Sequence, residues 1–106
     1  MVDHELDDLK REFLAEAEEK VREMQGALEG ERSPDSLERL AYLAHQLKGS
    51  GGSYGYGKIS TDAAEIEKAV ESLAGVQNDV RIEERIQQHV IELRSEIDRR
   101  LKELAH

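Results

Sequence analysis

Apolar residues recur at three- and four-residue steps along most of this chain, on segments that are otherwise charged. That spacing places them on one face of a helix, and it occurs in four separate stretches. Leu6, Leu9, Phe13, Ala17, Val21, Met24 and Leu28 predict a first helix from Asp3 to Glu29, stopped by Gly30. Ser33-Pro34-Asp35 then reads as a helix start: a serine cap, a proline at the first helical position and an acid in the first turn. The second helix begins at Pro34, with Leu37, Leu40, Ala44, Leu47 and Gly51 in one stripe. Tyr54 keeps close to that spacing, and the turn is placed near Gly55–Gly57. A third helix is expected from Lys58 to Ala74, with Ile59, Ala63, Ile66, Val70 and Leu73 inward and Gly75 as its stop. Asn78-Asp79 can cap a fourth, Val80 to Leu104, whose stripe is Ile82 or Ile86, Val90, Leu93, Ile97, Leu101 and Leu104. Four amphipathic helices with short connections predict an all-α fold, an antiparallel up-down four-helix bundle, with residues 1–106 as a single domain.

Composition narrows the function classes. At 106 residues the chain can build one core, and 37% charged residues with few aromatics suit a bundle of Leu, Ile, Val and Ala. A formal net charge of −9 argues against nucleic acid as a partner. No apolar run approaches membrane-spanning length, and Met1-Val2-Asp3-His4-Glu5 is acidic where a signal peptide is basic, so no membrane association and a cytoplasmic location are expected. Absence of cysteine excludes disulfides and thiolate metal sites. No histidine pairs with another at i+3 or i+4, and no metal site is expected. His4 lies at a frayed end, and His89 neighbours the stripe of the fourth helix, where snorkelling at the bundle edge accounts for it. Gly52-Ser53-Tyr54-Gly55-Tyr56-Gly57-Lys58 fits seven positions of a phosphate-binding loop, but Ile59 stands where a magnesium-binding hydroxyl is required and no strand precedes it.

The remaining candidate for chemistry is His45. By wheel arithmetic it lies roughly 125° from the centre of its helix's apolar stripe, with Glu38, Ala41, Tyr42, Lys48, Gly49 and Gly52 as surface neighbours. Isolated surface histidines are mostly idle. Here, however, a lysine ammonium stands one turn away, and two glycines remove bulk on the same side. Helix-interior glycine costs about 0.5–1 kcal/mol relative to alanine, and close approach of another protein's backbone is one reason to tolerate it. A neutral imidazole near pH 7 can accept a phosphoryl group and give it away. No catalytic base beside it is identifiable from the sequence.

Ala44-His45-Gln46-Leu47-Lys48-Gly49, followed by small residues and by Gly55 ten positions after the histidine, resembles the motif of histidine-containing phosphotransfer domains of two-component signalling. The resemblance implies a four-helix fold and a phosphorelay intermediate. His45 would carry phosphate at its outer ring nitrogen and Lys48 would help neutralise the phosphoryl charge. Gly49 would leave room for the partner, Leu47 and Gly55 would be structural members of the motif, and Ala41, Tyr42 and Gly52 would border the docking face. Implied partners are a response-regulator receiver domain and a histidine kinase or hybrid kinase. No cofactor of the chain itself is implied, with Mg²⁺ expected on the receiver. The motif of a kinase dimerisation domain is not matched, so a monomeric module, stand-alone or excised from a longer protein, is expected, without kinase activity of its own. Two rivals are a non-catalytic helical module that binds a receiver-like partner without phosphorylation, and a metal-dependent bundle enzyme using His45, His89 and carboxylates.

Overall fold

The computed structural model describes residues 4–30, 33–75 and 79–105, and the described residues form four helices and no strand. These are α1 (His4–Glu29), α2 (Pro34–Ser53), α3 (Gly57–Gly75) and α4 (Val80–Leu104). The start expected at Asp3 and the contribution expected from Asn78 lie outside the described residues. Contacts run from α1 to α2, α2 to α3, α3 to α4 and α4 back to α1, so the helices close into a ring around one core.

The helix ends form where the sequence marks them. Ser33 Oγ accepts from the Ser36 amide at 3.1 Å while Ser36 Oγ accepts from the Ser33 amide at 2.9 Å, a capping box built from two serines. Asp79 caps α4, its Oδ1 accepting from the amides of Arg81 at 3.0 Å and Ile82 at 3.3 Å. At the end of α2 the Tyr56 amide donates to Gly51 O at 2.8 Å and the Gly55 amide to Gly52 O at 3.1 Å. These are the two bonds of a Schellman ending, and its left-handed residue is Gly55 at φ +81°. That geometry places the turn at Tyr54–Tyr56, so α3 starts at Gly57, one residue before the expected Lys58.

The core is built from Leu14, Met24, Leu40, Leu43, Leu47, Ile59, Ile66, Ile86, Leu93 and Ile97, with Ala17, Ala44 and Ala63 fully buried among them. Two expectations for α1 need correction. Leu6 and Leu9 are 42% and 48% exposed, and Leu14, absent from the predicted stripe, is fully buried. The reason lies in helix lengths: Arg11 already donates to the last carbonyl of α4, Leu104 O, at 2.7 Å, so residues before it extend past the end of that neighbour. Leu43 likewise joins the core beside the predicted α2 stripe, and Leu37 is only partly buried. Phe13 closes this end of the bundle, stacking on Tyr54 at 4.9 Å and on Tyr56 at 5.9 Å.

Among the described residues two carboxylates are buried beside these apolar side chains, and both are paired, as burial of a charge requires. Glu96 accepts from Arg99 and Arg100, each at 2.9 Å. Asp62 accepts from Lys58 at 3.1 Å and faces His89.

Candidate functional site

α2 and α3 approach closely at Gly51. A Cβ added there would lie 3.1 Å from Ser60 N and 3.2 Å from Ile59 Cγ2, so glycine sets the distance between these helices. Ser60 Oγ fastens the contact by donating to Lys48 O at 2.8 Å. One to two turns further from the turn, this close approach carries a side chain of α3, Glu67, beside the polar face of α2.

His45 is held there in a defined orientation. Its Nδ1 lies 2.9 Å from Glu67 Oε2, while Glu67 Oε1 accepts from Lys48 Nζ at 2.7 Å. The Glu67 carboxyl is held below its ordinary value, chiefly by the hydrogen bond from Lys48; burial opposes this and the bond to His45 reinforces it. An ionised carboxylate only accepts, so the proton of the neutral ring belongs on Nδ1. Nε2 then carries the lone pair. The Glu67 side chain is 17% exposed and that of His45 67%, so a largely covered anchor orients an accessible imidazole. Among the described residues none bonds Nε2.

The other residues singled out in the sequence divide between two sides of His45. Lys48 is half-buried against Glu67 of α3, and Ala41 is half-buried one turn before His45. Gly52 is exposed, and a Cβ there would meet Ser60 Oγ at an ordinary 3.7 Å. Gly49 is exposed with nothing within 4 Å of such a Cβ, so packing inside this chain does not demand its glycine. Tyr42 stands on the α1 side, 52% exposed, with the Arg39 guanidinium 5.4 Å from its ring and Gln46 Nε2 donating to its hydroxyl at 2.8 Å. Arg39 in turn pairs with Glu23 of α1, and Tyr42 and Gln46 line a groove between α1 and α2. The structure therefore brings His45, Lys48 and Glu67 together and leaves Tyr42 at the border. Leu47 is fully buried and Gly55 forms the α2 ending, both structural positions.

Glu67 is the site residue that sequence reasoning missed. Equal counts back and forward from the Tyr54–Tyr56 turn pair His45 with Glu65. Glu67 lies two residues beyond that count, so counting alone brings α3 carboxylates to the level of His45 without selecting the one that bonds it.

The four-helix domain thus displays a carboxylate-oriented imidazole, with a lysine beside it and an open glycine next to that. The chain matches the family described as Hpt domain over residues 8–106 and belongs to it. Members of this family carry out phosphotransfer in phosphorelays, interacting with kinases and response regulators. No curated protein and no solved structure matches the chain. No described helix is long and apolar enough to cross a membrane.

Proposed function

We propose that His45 is the phosphorylated residue, and that it exchanges its phosphoryl group with the aspartate of a receiver domain. The observation that carries this reading is the bond from His45 Nδ1 to Glu67, which leaves Nε2 facing outward with its lone pair. In the forward step the Nε2 lone pair forms the N–P bond as the P–O bond to the aspartate breaks, and the aspartate leaves as a carboxylate. The ring becomes cationic without gaining a proton. Glu67 stabilises that charge through the Nδ1 hydrogen, and the reverse step restores the neutral ring. Transfer of this kind depends on alignment and on compensation of charge at the phosphoryl oxygens. Lys48 supplies part of that compensation in this reading, and Mg²⁺ held by the receiver supplies the rest.

The docking face is centred on His45. Gly49 admits the partner's backbone, Ala41 and Gly52 keep the surface low on the α3 side, and Tyr42 borders it toward α1. The open space over Gly49 supports this assignment. The reading also takes residues 1–106 as one monomeric cytoplasmic domain whose helices alternate in direction. Alternation is supported by paired contacts: Glu23 with Arg39 and Phe13 with Tyr54 between α1 and α2, Glu67 with His45 and Ser60 with Lys48 between α2 and α3, and Asp62 with His89 and Lys58 with Glu92 between α3 and α4.

The test is transfer from a phosphorylated receiver domain with Mg²⁺ to the wild-type chain and to Lys48→Ala. Transfer is expected to slow in the variant with helicity unchanged, and an equal rate removes Lys48 from the mechanism. Receiver binding without any transfer to the wild type would instead favour a non-catalytic interaction module.

A further inference from the structure

α3 carries a second histidine–carboxylate cluster on its α4 side. His89 Nδ1 lies 3.4 Å from Asp62 Oδ1 and 3.6 Å from Glu92 Oε2. Both separations exceed the ~2.7–3.2 Å of a firm N–H···O bond. They match another geometry: two donors about 2.0–2.1 Å from a tetrahedral Zn²⁺ lie about 3.4 Å from each other. One donor atom from each of Asp62, His89 and Glu92 lies within 4.8 Å of the other two. The Asp62 side chain is 5% exposed and that of His89 22%, so the cluster has a buried floor and one side open to solvent.

We infer that Asp62, His89 and Glu92 form a binding site for one divalent transition-metal ion, Zn²⁺ by the character of its donors. One imidazole nitrogen and two carboxylates are a zinc donor set that leaves a fourth position to water. His89 and Glu92 stand one helical turn apart on α4 and Asp62 faces them from α3, so an ion held by all three ties the two helices together. Without metal, a side-chain cation takes this place. Lys58 Nζ lies 3.1 Å from Asp62 Oδ2 and 3.9 Å from Glu92 Oε2, and its side chain is 51% exposed on a flexible stem. Metal binding swings this ammonium out to solvent. Asp62 and Glu67 are five residues apart on α3, about 140° around the helix, so this site and the His45 site use different sides of the helix.

The competing lysine gives the test a distinctive sign. The full chain is titrated with ZnCl₂ by calorimetry in a non-chelating buffer, and with CoCl₂ by the visible absorption of tetrahedral Co²⁺. One ion per chain is expected. His89→Gln weakens binding by more than about tenfold through loss of a ligand, whereas Lys58→Met tightens it by about tenfold through removal of a unit positive charge near the ion. His45→Gln leaves it unchanged. His89 and Lys58 are exposed enough for both variants to fold, and circular dichroism checks this. Absence of saturation below ~1 mM, binding that survives His89→Gln, binding lost with His45→Gln, or unchanged affinity in Lys58→Met would each overturn the assignment.

Discussion

Two glycines of α2, two residues apart, are predicted to respond to alanine with opposite signs. At Gly49 the new methyl meets nothing within 4 Å, so the exchange acts through helix propensity alone. Stability should rise by about 0.5–1 kcal/mol. At Gly51 the same gain is offset by contact with Ser60 N at 3.1 Å and Ile59 Cγ2 at 3.2 Å. Ile59 can shift its side chain, but the Ser60 nitrogen is backbone. That backbone is fastened to α2 by the Ser60–Lys48 bond at 2.8 Å and by the Tyr56–Gly51 bond at 2.8 Å. Forcing a methyl into such a contact costs about 1–3 kcal/mol. Gly51→Ala is therefore expected to lose about 1 kcal/mol net, a fall of roughly 4–8 °C in Tm for a domain of this size. Urea denaturation of both variants against wild type measures this, with the slope m unchanged. If Gly51→Ala proves as stable as Gly49→Ala, the claim that Gly51 sets the α2–α3 distance is wrong. The functional readout separates the pair again: Gly49→Ala should slow transfer from a receiver despite its greater stability.

Three further outcomes are expected. Glu67→Gln keeps the shape but loses the charge, and charge-assisted hydrogen bonds exceed neutral ones by about 1 kcal/mol. Because His45 is two-thirds exposed, solvent competition reduces this, and a two- to fivefold slower transfer is expected, roughly 0.5–1 kcal/mol in the barrier. Nitrogen NMR should show the Nδ1–H tautomer depleted; transfer at or above the wild-type rate with an unchanged tautomer would leave Glu67 as a mere counterion of Lys48. For Glu96, burial pushes the carboxyl up, but the bonds from Arg100 and Arg99 outweigh it and hold the group below its ordinary 4.5. Its folded value thus lies below its unfolded one, so the stability it contributes is present above about pH 4.5 and is lost as pH falls through the lowered value. Acid unfolding of Glu96→Gln should show a shallower fall of stability below that pH, and an identical acid limb would contradict the pairing.

Much of this fold was legible because helix periodicity and end signals agree. The Ser33 and Asp79 caps, Pro34, Gly55 and the buried stripe of α3 stand as the spacing predicts, and so does that of α4 from Ile86 to Ile97, with Leu101 and Leu104 only partly buried. What periodicity cannot express is where a neighbouring helix ends. Leu6 and Leu9 continue the α1 pattern beyond Arg11, where α4 no longer covers them, and Leu14 is buried because α1 is flanked from both sides. His45 was legible from its angle to the stripe, but its partner was not, since Glu67 is brought to it by the approach of α3 at Gly51. Asp62 was hidden for the same reason. It reads as an ordinary acid in a charged helix until α4 places His89 against it. Searching histidines only for other histidines passed over the turn shared by His89 and Glu92.

The central claim is that His45 carries the phosphoryl group, and it is tested by incubating wild type and His45→Gln with a labelled, phosphorylated receiver domain and Mg²⁺. The account predicts label on the wild-type chain alone, labile in acid and stable in base, as a phosphorylated imidazole requires. Label retained by His45→Gln, or no label on the wild type while the receiver demonstrably binds, would contradict it.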